Sequence, residues 1–288
     1  VHHFLIRLFL VLTSSMGFLP RYTSAFLLIF VLSALWKFTL DRDQSLRDEA
    51  DAGEPAMNMI RRWGYPAEKH DVHTQDGFIL TMFRIRHGRF SDEKCWWCHR
   101  PVVVFFHGLM ASGTEFFLNP PESSLAFILA DAGFDVFIIN HRGTTYSKRH
   151  TTLKPTDNEF WRWTMDELSK YDCPAAIDKA LEISGQKTAY WVGHSMGTTV
   201  GYMMLSTRPE YHSKIKALFQ LAPTGTAGFA VGPIGTLFSA YSYVKSLFYV
   251  YRRVYGAHEF GNSLPLIYPT FAKLCLRIPF KWQVLYLQ

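Results

Sequence analysis

The chain has 288 residues, 48% hydrophobic and 19% charged, a globular balance that excludes a disordered or collagen-like chain and leaves enough apolar material for one good-sized core. Its formal charge of +6 is unevenly placed, because beyond residue 195 nine Lys or Arg face only Glu210 and Glu259, a local +7 that leaves −1 for the rest. No block of five or more Lys and Arg occurs, which argues against a nucleic-acid partner.

Residues 1–15, which open on Val1, read as a leader or a non-native extension. From Met16 a single positive charge, Arg21, precedes the apolar run Ala25 to Trp36, and polarity returns at Lys37 and Asp41. That layout is a secretory signal peptide over 16–34, with Ala34 as the best cleavage residue. An uncleaved signal-anchor is the alternative, although the run falls short of the about 20 apolar residues that a membrane span requires. Residues 35–60 are charged and weakly patterned and read as a linker into a folded core over 61–225.

The first folding signals surround Gly64-Tyr-Pro66. His70 to Thr74 and Phe78 to Ile85 are strand-like runs separated by Asp76-Gly77, a dipeptide suited to the positive φ of a tight hairpin turn. Between this hairpin and the next apolar run lies Cys95-Trp-Trp-Cys98. It opens no helix whose dipole would lower a thiol pKa, and only His99 is close enough to join a metal set. The pair is expected to be a local disulfide or two free thiols in a surface loop, with no metal and no cofactor implied. Val102 to Phe106, Val136 to Ile139, Thr188 to Val192 and Ala217 to Leu221 are short apolar runs of the kind buried in a parallel sheet. Helix-forming segments lie between them, notably Phe160 to Ile183 and Met196 to Ser206. Strands alternating with helices, entered through a hairpin, predict an α/β sheet covered on both faces.

Chemistry concentrates at Gly193-His194-Ser195-Met196-Gly197, a Gly-x-Ser-x-Gly pattern preceded by the strand TAYWV and followed by the helical TTVGYMMLS. A serine in so sharp a strand-to-helix turn needs small flanking residues, because a side chain at 193 or 197 would strike the neighbouring strand or helix. The turn lifts the Ser195 hydroxyl clear of the sheet at a helix N-terminus, where negative charge is favoured. Ser195 is thus the candidate nucleophile. The loop His107-Gly108-Leu109-Met110 follows the strand from Val102, where an α/β-hydrolase fold places one oxyanion donor, the other being the residue after the nucleophile. The backbone N–H groups of Leu109 and Met196 are the candidates. His107 is expected to brace that loop, and His194 to turn away from the Ser195 hydroxyl, since adjacent residues at a strand end point to opposite faces.

Taken together, GYPAEKHDVHTQDGFILTMFRI, HGLMASG, INHRGTTYSKRH, FWRWTMDELSKYDCPAAID and VGHSMGTT resemble, in order, the signatures of the acid lipase family, which includes gastric and lysosomal acid lipases. The likeness runs from about Gly64 to Pro223. It implies an α/β-hydrolase fold, cleavage of acylglycerol or sterol esters at a lipid–water interface, a Ser-Asp-His triad under a mobile cap, and a secreted or lysosomal location. It also implies that residues 226–288, with the apolar stretch Thr236 to Val250, begin the cap. The family often has Gln where this chain has Met196; a backbone donor tolerates the exchange.

In this fold the acid and the histidine of the triad follow the nucleophile. No Asp occurs beyond Asp178, and the remaining candidates are Glu210, His212, His258 and Glu259. None follows a late sheet strand. The resemblance puts the pair further downstream, so the C-terminal part of the fold is expected to be missing from this chain. Two readings stay open: an ester hydrolase represented in part, or an inactive lipase-like product that at most binds lipid.

Overall fold

The computed structural model describes residues 54–90, 99–225 and 235. The segments read above as leader, signal peptide and, but for residue 235, cap, together with Cys95, Cys98, His258 and Glu259, lie outside the described residues.

Helix α1 (Glu54–Arg61) comes first, inside the stretch expected to be linker. Its buried residues Ala56, Met57 and Ile60 share one face, an apolar spacing too brief to stand out among the charges around it. The hairpin follows, with β1 (Glu68–His73) paired antiparallel to β2 (Phe78–Ile85) and Gly77 at φ +97° in the turn. Beyond it come β3 (Val102–Phe106), α2 (Leu125–Asp131), β4 (Asp135–Ile139) and the two-residue β5 (Arg149–His150). Next are α3 (Met165–Glu167), α4 (Cys173–Ser184), β6 (Ala189–His194), α5 (Met196–Thr207) and β7 (Ile215–Leu221).

Among the described residues the strands form one sheet in the order β1-β2-β4-β3-β6-β7, with β5 on β2. The pairs β4/β3, β3/β6 and β6/β7 are parallel, and β2/β4 is antiparallel. Alternation along β3 and β4 sorts the core into two halves. Val102, Val104, Phe106, Phe137 and Ile139 join Trp191 beneath α4 and α5, whereas Val103, Phe105, Val136 and Ile138 join Phe83, Phe117 and Phe127 on the side of α1 and α2. Burial on both faces is why these strands read as unbroken apolar runs. Phe106 stacks on Trp191 with ring centroids 3.5 Å apart, fixing the central pair of strands just below the Ser195 turn.

The expected helix from Phe160 to Ile183 is broken. A 3-10 turn at Glu159–Trp161 precedes α3, whose Thr164 side chain accepts the Asp166 N–H while Glu167 reaches back to the Thr164 N–H at 2.6 Å. A π-helical stretch, Leu168–Asp172, then leads into α4, with Pro174 in its first turn. Apolar periodicity cannot reveal such a widened turn, because it ends on Asp172, which is polar and fully buried for reasons lying elsewhere in the fold.

Candidate active site

Three loops meet at the C-terminal edge of the parallel strands, the usual place for a site in an α/β sheet: those after β3, β4 and β6. Ser195 occupies the turn between β6 and α5 with φ 48° and ψ −111°, a conformation that a non-glycine residue rarely adopts. A Cβ on Gly197 would fall onto the Phe106 carbonyl, with the carbonyl carbon at 2.8 Å, and one on Gly193 would sit 2.6 Å from the Gly197 oxygen. Both glycines are therefore demanded by space. The turn is anchored by the Ser195 N–H, which donates to the Leu221 carbonyl at the end of β7 (3.0 Å), and by Thr198, whose N–H and hydroxyl donate to the Ser195 carbonyl at 2.9 and 2.6 Å.

The loop after β3 lies directly against this turn, since a Cβ added to Gly108 would be 3.4 Å from Ser195 Cβ. Leu109 and Met110 are 61% and 77% exposed, and Met110 has a positive φ of 61°. The N–H groups of Leu109 and Met196 make no hydrogen bond within the described residues, so both are available to an incoming acceptor. Two backbone donors flanking a serine at a helix N-terminus can stabilise an oxyanion on an attacked carbonyl, each donor being worth about 3 kcal/mol.

His107 is buried. Its Nε2 accepts the His141 N–H at 3.1 Å, which leaves the proton on Nδ1 to be donated to the Gly108 carbonyl at 2.8 Å. Both nitrogens are committed to the backbone, so this ring braces the loops after β3 and β4 and has no lone pair for a general base. Burial, and secondarily the neighbouring His141, pushes its pKa down to about 3. Because the folded pKa lies below the unfolded value near 6.5, the stability supplied by the neutral ring is complete above that value and is lost as pH falls toward 3. The urea midpoint of the wild-type chain should accordingly exceed that of His107→Gln at pH 7, with the gap narrowing by pH 4; a gap independent of pH would sink this account.

His194 is engaged by a carboxylate. Its Nδ1 lies 3.2 Å from both carboxylate oxygens of Glu115, and Glu115 Oε1 also accepts the Gly108 N–H at 3.2 Å. Glu115 raises the His194 pKa through this hydrogen bond, against a smaller opposing effect of burial. Glu115 escaped sequence reasoning, being one acid in a polar loop, 79 positions from its partner.

Below the site lies a second set of buried charges. Arg142, after β4, donates through Nε to Asp172 at 2.8 Å and through its two terminal nitrogens to Asp76 at 2.6 and 3.0 Å, while its N–H donates to Asp172 at 3.0 Å. Its guanidinium lies 4.0 Å from the centroid of the Phe78 ring. His141 has its Nδ1 3.6 Å from Asp172, and neither of its ring nitrogens has a hydrogen-bond partner among the described residues.

Of the later acid and histidine candidates, Glu210 pairs with Arg208 and His212 donates to the Leu205 carbonyl. Both stand past the C-terminal end of α5, which the rise per residue puts about 18 Å from the end that carries Ser195. Neither reaches the nucleophile. Among the described residues, no helix is long and apolar enough to cross a membrane.

A family model described as a partial alpha/beta-hydrolase lipase region matches residues 56–120, and one for the alpha/beta hydrolase fold matches residues 101–278. Lipase member K of Homo sapiens is 41% identical over 210 residues, which cover 71% of this chain and 52% of that protein. Gastric triacylglycerol lipase of Rattus norvegicus is 43% identical over 187 residues, covering 63% of this chain and 47% of that protein. Lysosomal acid lipase/cholesteryl ester hydrolase of Homo sapiens is 42% identical over 219 residues, covering 74% and 53%. The chain spans about half the length of these curated relatives.

Proposed function

Since this chain belongs to the α/β-hydrolase family, we propose that it carries the nucleophile and oxyanion half of a serine ester hydrolase that cleaves acylglycerol or sterol esters at a lipid–water interface. Ser195 attacks the ester carbonyl and becomes acylated, the alcohol leaves, and water releases the acid. The N–H groups of Leu109 and Met196 receive the oxyanion. The observation that carries this reading is the backbone of Ser195, held at φ 48° between two glycines that nothing larger can replace. Strain of this kind persists only where the surroundings impose it, and here it serves to expose one hydroxyl. The lipid-ester part rests on likeness to the gastric and lysosomal lipases named above.

A weakly acidic alcohol requires a base. His107 is committed to the backbone, His194 to Glu115, and His212 stands at the wrong end of α5. In this reading the triad acid and histidine come from sequence downstream of residue 288, and residues 16–34 carry the protein into the secretory route toward the medium or the lysosomal lumen.

The test is to express residues 1–288 in secretory cells beside a form extended through the downstream reading frame. Medium and lumenal fractions are then assayed on emulsified triacylglycerol, a cholesteryl ester and a short soluble ester. Activity on the emulsions is expected from the extended form alone. Equal activity from the short form would overturn the downstream base, turnover of the soluble ester only would overturn the lipid substrate, and an inactive extended form that still binds vesicles would favour a lipid-binding product.

A further inference from the structure

One carboxylate touches both the loop after β3 and the end of β6, the two segments that lead into the proposed oxyanion hole. Glu115 lies in the 3-10 turn Gly113–Phe116, its side chain largely buried. It accepts the N–H of Gly108, the residue before the donor Leu109, and it holds the imidazole of His194, the residue before Ser195. The loop needs such a tie, because Leu109 and Met110 are exposed and their side chains add little packing to fix it.

We propose that Glu115 is a positioning residue, which sets the spacing of the Leu109 and Met196 donors by clamping the oxyanion loop to the nucleophile turn through His194. This rests on the reading of Ser195 as nucleophile. Charge limits how such a clamp works. A carboxylate beside a developing oxyanion opposes it unless a cation compensates, and a protonated His194 makes the pair neutral. Facing His194 among the described residues are Glu115 and His107, and His107 stays uncharged. As pH rises through the His194 titration the pair gains a net negative charge, and turnover falls on that limb.

The extended protein is assayed on a short soluble ester, with stopped-flow phosphonate labelling of Ser195 as a second measure of the donors. Glu115→Ala is expected to lower kcat about 10- to 100-fold, the scale of a small misplacement of catalytic groups, with KM nearly unchanged. Glu115→Gln keeps an acceptor for the Gly108 N–H and is expected to recover most of kcat at acid pH. Without the carboxylate charge the pair never turns negative, so this alkaline limb is lost in Glu115→Gln, while the His194 midpoint followed by NMR moves to lower pH in either form of the protein. Full kcat in Glu115→Ala, failure of Glu115→Gln to recover it, or an unmoved His194 midpoint would each overturn the clamp. Activity surviving in Ser195→Ala would instead overturn the nucleophile reading, so the two failures are told apart.

Discussion

Ser195→Ala is expected to lower ester turnover by about four to six orders of magnitude in the extended protein, the range seen when the nucleophile of a serine hydrolase is removed. The substitution deletes the attacking oxygen and leaves Gly193, Gly197 and both backbone donors in place, so the residue should be missed by catalysis and not by folding. A second variant separates the chemistry from the strain. Alanine keeps a Cβ at φ 48°, whereas glycine removes the clash, and strain at such a position is worth about 1–3 kcal/mol. Glycine gives back up to about 1 kcal/mol through the greater freedom of the unfolded chain. Ser195→Gly should therefore be as inactive as Ser195→Ala but unfold at equal or higher urea concentration. Retained turnover in either purified variant would refute the nucleophile, and a Gly variant clearly less stable than the Ala variant would refute stored strain in the turn.

The largest stability effect is expected at Asp172. The Arg142 side chain is almost wholly buried between Asp172 and Asp76, and removing one partner of a buried ion pair costs about 3–5 kcal/mol because the other charge is left without compensation. Asp172→Ala strips the Nε and N–H partners of Arg142 together. It also leaves the guanidinium with Asp76 alone, whose carboxyl burial would raise but which the Arg142 hydrogen bonds hold below its ordinary pKa. Replacing both residues by apolar ones of similar size, Arg142→Met with Asp172→Leu, should cost less than the sum of the two single replacements, since neither charge is then left buried without the other and only the partly exposed Asp76, which keeps the Thr74 hydroxyl, loses its cation. Urea unfolding of the single and double variants checks this. A loss under about 1 kcal/mol in Asp172→Ala, or a double variant worse than the sum of its parts, would show that the network is not what holds the loop after β4. The consequence reaches the site, because His141, beside Arg142, donates the N–H that fixes His107.

What the amino-acid sequence determined by itself was whatever depends on neighbours along the chain. Runs such as VVVFF and FILTMFRI are strands because β-branched and aromatic residues fill a sheet buried on both faces. The turn at Ser195 was legible because Gly-x-Ser-x-Gly between a strand and a helix is a local steric requirement, and Gly193 and Gly197 indeed have no room for a Cβ. The bracing role of His107 followed from its position at the end of β3, before the loop that carries Leu109. Reading residues up to 60 as linker failed at α1, whose short apolar face acquires meaning only once the sheet is there to receive it.

The tertiary structure decided which distant groups meet. Placing β3 between β4 and β6 brings the loops after all three strands to one edge. Glu115 thereby reaches His194 across 79 positions, and Arg142 reaches Asp76 across 66 and Asp172 across 30. None of these partners has a periodicity or a motif, because a charge is admitted to the interior by the opposite charge it meets there, and that meeting is set by strand order rather than by chain order. The π-helical widening before α4 was equally hidden from the sequence: it ends on Asp172, the residue that meets Arg142.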